Sequence, residues 1–253
     1  MRTAKKGSIL IFDDHYTLDE FACEKWKEIG EGAMRERGVF TAAVSGGTSP
    51  VGFYRRLAAS GKEINRQSTH IFFADERFVS KKNRESNYRM VKENLLDRAG
   101  FPSRNVHAVS IEKTSALSAV KYERSVKIFF KIKKGGFPKF DLIMLGLGAD
   151  GHTASLFPGN KTLQERKRLV VSVSDSAVKT ERITLTLPVL LNARNIIFIV
   201  KGGEKAGVVK EVLRSKRSFL PAAMVKRSRG NIYFLLGRAV FSVPKKKKIS
   251  IDK

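Results

Sequence analysis

Short runs of β-branched and aromatic residues recur along the chain, at 9–12, 40–44, 69–74, 106–109, 140–145, 169–173, 195–200 and 232–236. Their length suits strands better than helices. Between most of them the apolar positions fall at helical spacing. Leu18, Phe21, Ala22, Trp26 and Ile29 share one face of a helix over 18–35, and Ser49 and Pro50 read as the N-cap and first residue of a helix over 50–59. Ser86 and Asn87 precede a helix through Leu95 and Leu96, Thr114 precedes one running toward Phe130, and Gly203 and Glu204 open one ending near Leu213. Such alternation predicts an α/β fold: a three-layer, mostly parallel, doubly wound sheet with helices on both faces. In open sheets of this kind ligands collect outside the carboxyl ends of the strands. The loops after the runs at 40, 69 and 140 therefore carry the search for chemistry.

Composition narrows the class. With 253 residues the chain buries a full core, and we expect one domain over 1–243 followed by a basic tail over 244–253. No apolar run approaches the roughly 20 residues of a membrane helix, so a soluble, unexported, cytoplasmic protein is expected. Cys23, the only cysteine, rules out an internal disulfide and fits a reducing compartment. The 49 Lys and Arg against 24 Asp and Glu leave a net charge of +25, which raises nucleic-acid binding as an alternative. The basic residues are spread along the whole chain, however, and no zinc-finger, RRM or basic-zipper spacing is present. Specific nucleic-acid and membrane partners are not expected; a surface that draws in anionic metabolites is.

The densest chemistry lies in 140–159. An apolar strand runs into Gly146, Gly148 and Gly151 and delivers Asp150 and His152 two residues apart. Gly146–Gly151 formally matches the dinucleotide fingerprint G-x-G-x-x-G, but Pro158–Gly159 interrupts the helix that must follow to receive pyrophosphate. The other use of the glycines is close approach of a ligand to the backbone, with the Asp150 carboxylate holding the His152 tautomer. A lone histidine is more often structural, so neighbouring segments decide.

One such segment, 44–50, joins a strand to a helix start through Ser45, Gly46, Gly47, Thr48 and Ser49, and reads as an anion cradle or an ordinary N-capped turn. It has neither the lysine of a P-loop nor the spacing of a nucleophile elbow. Another, 71–79, ends a buried strand in Asp75, Glu76 and Arg77, with Asn87 ten residues on. Arg77 either binds phosphate or pairs with its acidic neighbours. Arg182 and Lys205 each stand beside a strand terminus or helix start, where a phosphorylated ligand needs a cation.

Taken in order, Ser45-Gly46-Gly47-Thr48, Asp75-Glu76-Arg77 with Ser86-Asn87, Gly148-Ala149-Asp150-Gly151-His152-Thr153-Ala154-Ser155-Leu156-Phe157-Pro158-Gly159, Arg182-Ile183-Thr184-Leu185-Thr186 and Gly203-Glu204-Lys205-Ala206 resemble the 6-phosphogluconolactonase family over roughly residues 8–240. The resemblance implies a Rossmann-like fold similar to glucosamine-6-phosphate deaminase. It also implies cofactor-free hydrolysis of 6-phospho-D-glucono-1,5-lactone to 6-phosphogluconate in the oxidative pentose phosphate pathway. On that basis His152 is the expected general base and Asp150 its orienting partner. Ser45, Gly46, Gly47, Thr48, Asp75, Arg77, Asn87, Gly151, Arg182 and Lys205 are the expected substrate- and phosphate-binding residues. The deaminase is the main rival, since it shares the glycine turn, the Asp-Glu pair and the Asp-Gly-His loop. Arg77 in place of its tyrosine, and Thr153–Gly159 in place of its Ile-Ala-Phe-Asn-Glu-Pro run, favour the lactonase. Ser80, where the family commonly has proline, and the inverted order Thr48-Ser49 depart from the pattern. No metal is expected, because His15, His70, His107 and His152 are far apart in sequence and no paired ligand spacing occurs. A monomer is the expected oligomeric state.

Overall fold

A computed structural model describes residues 8–175, 178–215 and 217–241; the basic tail expected over 244–253 lies outside the described residues. In chain order the elements are β1 (Ser8–Phe12), α1 (His15–Arg37), β2 (Phe40–Val44), α2 (Val51–Ala59), β3 (Thr69–Phe73), β4 (Asp75–Arg77), α3 (Asn87–Val91, continued through a widened turn to Ala99), β5 (Val106–His107), α4 (Ser115–Phe129), β6 (Leu142–Leu145), β7 (Val170–Val173), β8 (Arg182–Leu185), α5 (Leu187–Leu191), β9 (Asn195–Val200), α6 (Ala206–Arg214), α7 (Pro221–Val225) and β10 (Asn231–Gly237).

Seven strands form one parallel sheet in the order β1-β10-β9-β6-β2-β3-β5. Its central strands are buried on both faces, which is why β2, Phe-Thr-Ala-Ala-Val, and β6, Leu-Ile-Met-Leu, are runs without alternation. The edge strand β1 alternates, with Ile9 and Ile11 exposed. α1 is capped by Asp14, whose Oδ1 accepts from Thr17 N at 2.8 Å, and closes at Gly38 in the left-handed region. Its Trp26 stands edge-on to Phe40 of β2 with ring centroids 5.1 Å apart, both fully buried. Large side chains so enclosed contribute roughly 1.5–3 kcal/mol each.

The chain proceeds outward from β2 to β3 and β5, then returns to the other side of β2 as β6. The order therefore reverses between β2 and β6, and such a switch point opens a crevice above the carboxyl ends.

Two expectations need correction, and two short strands were not expected. The run at 169–173 joins a separate antiparallel sheet, β4-β8-β7, rather than the parallel one. Its other members, Asp75-Glu76-Arg77 and Arg182-Ile183-Thr184-Leu185, escape pattern reading because they are short and partly charged. Ser49 is not the cap of α2: the helix begins at Val51 behind Pro50, with no side-chain cap, which leaves the Ser49 hydroxyl clear of the helix end.

Candidate active site

The crevice between β2 and β6 holds a cleft of about 190 Å³, lined by the turn at 45–49, Asp75, Arg77, Asn87, the loop at 146–148, His152 to Ala154, and Lys205. Each contributor leaves the carboxyl end of a strand or the loop after it. β2 supplies the turn, β6 the glycine loop, β9 the Lys205 loop, and β3 leads through Ala74 into β4.

His152 sits at the rim, its side chain about one-third exposed. Its Nδ1 lies 2.6 Å from Asp150 Oδ1, which also accepts from the His152 amide at 3.1 Å. An ionised carboxylate only accepts, so the neutral ring carries its proton on Nδ1 and leaves the Nε2 lone pair free. Gly148 makes this possible, because a Cβ there would overlap both the imidazole and the Asp150 carboxylate. The loop closes on itself through Gly148 N to His152 O (2.9 Å) and Thr153 Oγ1 to Gly146 O (2.8 Å). Phe157 packs against the ring, centroids 4.9 Å apart.

In the facing turn, the amides of Gly46, Gly47 and Thr48 donate to no group among the described residues. Ser45 is buried, and its hydroxyl donates to Met144 O at 2.9 Å, so it ties β2 to β6 and offers the cleft only an acceptor. Asn87 lies over Gly46 and donates to Asp75 O at 2.9 Å. Lys205 Nζ stands 3.5 Å from Ser49 Oγ, and burial holds its pKa below that of an ordinary lysine, partly countered by Glu204.

The acidic pair at 75–76 divides its labour. Asp75 accepts from Ser155 Oγ at 2.8 Å, joining β4 to the histidine loop. Glu76 accepts the amides of Arg77, Asn87 and Tyr88, each at 2.7 Å, and so anchors the start of α3. Burial raises its pKa, opposed by those three donors.

Neither carboxylate pairs with Arg77. That guanidinium donates from Nη1 to Glu85 O at 2.7 Å, and its buried Nε has no partner. Directly across the β4–β8 ladder stands Arg182, whose buried Nε is also unpartnered and whose pKa is lowered by burial and then by the Arg77 charge. Like charges opposed across a ladder destabilise it; the Asp75, Glu85 and Glu76 charges offset part of that repulsion at Arg182 without forming an ion pair with it.

Most of the residues expected from sequence meet at the cleft. Three stand behind it: Asp150 backs His152, Arg182 backs Arg77, and Gly151 packs against Leu220. Sequence reasoning missed Ser155 and Thr184, which brace the histidine loop from β8, with Ser155 N 3.3 Å from Thr184 Oγ1. Both fall inside the motifs quoted above, but nothing in their spacing shows that they meet.

The model of the family described as glucosamine-6-phosphate isomerases/6-phosphogluconolactonase matches residues 13–234. The chain is 36% identical over 210 residues to a 6-phosphogluconolactonase of Nostoc sp., covering 82% of this chain and 85% of the relative. It is 36% identical over 240 residues to the chloroplastic 6-phosphogluconolactonase 3 of Arabidopsis thaliana, covering 91% and 74%. Among solved structures, 6-phosphogluconolactonase from Trypanosoma cruzi superposes with a TM-score of 0.82 at 28% identity, covering 93% of this chain and 96% of that one. The Trypanosoma brucei enzyme gives 0.81 at 28% identity, covering 93% and 97%.

Proposed function

From the premise that the chain belongs to the glucosamine-6-phosphate isomerase/6-phosphogluconolactonase family, we infer that it hydrolyses 6-phospho-D-glucono-1,5-lactone to 6-phospho-D-gluconate in the pentose phosphate pathway. The observation that carries the reading is the carboxylate-held imidazole of His152 on the rim of a cleft that Arg77, Lys205 and the free amides of the 46–48 turn also line.

In the scheme we favour, His152 Nε2 takes a proton from water as its oxygen bonds to the lactone carbonyl carbon. The C–O π pair moves onto the carbonyl oxygen, where the amides of Gly46 and Gly47 receive it. When the tetrahedral species collapses, the ring C–O bond breaks and the imidazolium returns its proton to the departing oxygen. General base action of this kind is worth about 10²–10⁴ in rate. Asp150 keeps the ring in the required tautomer and balances the transient positive charge. The phosphate, far from the reacting carbon, supplies orientation. We assign it to Lys205 and the hydroxyls of Thr48 and Ser49 on one side and to Arg77, backed by Arg182, on the other, each charge-assisted contact contributing about 1.5–3 kcal/mol.

No step requires a metal or organic cofactor, and among the described residues no cluster of three His, Cys, Asp or Glu could hold a metal. Turnover unchanged by a chelator is the expected outcome. We treat residues 1–243 as one catalytic domain acting as a monomer in a reducing, cytosolic environment. Cys23 is buried with its pKa pushed up to about 12, and no helix among the described residues is long and apolar enough to cross a membrane. Light scattering and fractionation check those two points.

The direct test supplies the lactone generated in situ and follows proton release. Rapid turnover supports the reading; release of ammonia from glucosamine 6-phosphate, without lactone hydrolysis, would replace it with the deaminase reaction.

A further inference from the structure

Outside the cleft, one buried ion pair is left unexplained by this chemistry. Lys201 directly follows the last residue of β9, and its Nζ meets both carboxylate oxygens of Asp19 on α1, at 2.7 and 2.8 Å. Both side chains are nearly enclosed, 12% and 7% exposed. The pair packs against the second residue of α2. A Cβ at Gly52 would overlap Asp19 Oδ2 and come within 3.6 Å of Lys201 Nζ.

We propose that Asp19, Lys201 and Gly52 form a lock that sets the position of Lys205 over the anion turn, making Lys201 and Asp19 positioning residues for phosphate recognition. Two points of contact join the 201–205 loop to the start of α2. Lys201 touches it through Asp19 beside Gly52, and Lys205 reaches Ser49 three residues earlier. Between the two lysines lie Gly202, with φ of 100°, Gly203, and Glu204, whose carboxylate lies back over Gly202. The end of this short loop that is tied to another element by an ion pair is Lys201. A buried ion pair adds little net stability over a well-packed apolar pair. What its two-oxygen geometry adds is direction, and here the direction fixed is that of a loop carrying a phosphate-binding cation. The inference rests on the assignment of Lys205 to phosphate made above.

The test measures steady-state kinetics on the phosphorylated lactone, and calorimetric binding of inorganic phosphate, for wild type, Lys201→Met, Lys205→Ala and the double variant. We expect Lys201→Met to raise KM and the phosphate dissociation constant by about three- to thirtyfold, within the range that coupled neighbours cover, with kcat much less affected. In the Lys205→Ala background the same change should add nothing. Because Lys201→Met strands a buried carboxylate and risks unfolding, two further variants reach the lock differently: Asp19→Asn with Lys201→Met removes both charges, and Gly52→Ala displaces Asp19 with both charges intact. Both should show the same weakening at unchanged folded content. A folded Asp19→Asn/Lys201→Met protein that binds phosphate like wild type, or a Lys201→Met effect undiminished without Lys205, overturns the lock. Wild type that binds phosphate through Lys205 but leaves the lactone intact overturns the functional reading instead, and the phosphate arm still judges the lock.

Discussion

The two ends of the same parallel strands treat buried charge in opposite ways. At the amino end of β6, Asp141 accepts from Thr41 N at 2.9 Å and Thr41 Oγ1 at 2.8 Å, and pairs with Arg37 at 2.9 Å and Arg194 at 3.3 Å. It fastens the entry of β2, the end of α1 and the approach to β9. Arg194 Nε makes no hydrogen bond, but the Asp141 carboxylate stands 3.3 Å from it. Near the carboxyl end, Arg77 and Arg182 face each other with no carboxylate in ion-pair contact, Asp75, Glu85 and Glu76 acting on Arg182 only from farther off, beside a turn whose amides are unused. A buried charge in contact with its counter-ion belongs to the architecture; opposed cations without such a contact are where an anionic ligand adds most.

The sharpest way to test this division is to remove one group from each end. His152→Gln should lower kcat by about 10²–10⁴ with no change in the denaturation midpoint, since the ring is partly exposed and braces nothing outside its own loop. At the other end Asp141→Ala should cost about 1–3 kcal/mol in chemical denaturation, as leaving the buried amide and hydroxyl of Thr41 without their acceptor does, while the protein that remains folded turns over normally. If His152→Gln unfolds the chain, or Asp141→Ala leaves stability intact, the contrast fails.

A smaller effect is expected at Arg182. Replacing it with Met removes one of two opposed cations, so stability should hold or rise slightly. KM for the phosphorylated lactone should rise by about three- to thirtyfold, the effect of a residue coupled to the ligand through its neighbour Arg77. A fall in stability with an unchanged KM would make Arg182 structural.

Much of the parallel sheet was legible because doubly buried strands must be continuous apolar runs, and 40–44 and 195–200 could hardly be anything else. The Asp150–His152 loop was legible for a local reason: both groups and the glycine that admits them lie within five residues. What escaped is non-local. Arg77 and Arg182 are 105 residues apart in a ladder between a three- and a four-residue strand that carries no periodicity, and Lys201 finds Asp19 across 182 residues. Ser45 looked like a hydroxyl for the ligand; its burial against β6 becomes visible only once those strands are neighbours.

The smallest expected effect lies at the outer edge of the sheet, where two half-buried histidines face each other without a counter-ion. His70 Nδ1 and His107 Nε2 lie 3.0 Å apart, with His107 stacked on Phe72 and edge-on to Phe129. Burial and then the His70 charge push His107 down to about 4, while burial and then Arg104 lower His70. Folded-state pKa values below the ordinary histidine value mean that the unfolded chain binds more protons. The stability contributed is thus complete above about pH 6.5 and is lost as pH falls from there toward 4. With one unit amounting to about 1.4 kcal/mol and half-exposed rings screened by solvent, the loss is on the order of 2 kcal/mol. Denaturation midpoints for wild type and His107→Phe, measured between pH 7 and 4, isolate it. The wild-type curve should fall more steeply than the variant's, and turnover per folded molecule should be the same in both, because this edge contributes nothing to the cleft. Parallel pH profiles would show that the paired rings tolerate a proton without cost, and that burial without a counter-ion is not by itself a liability in this fold.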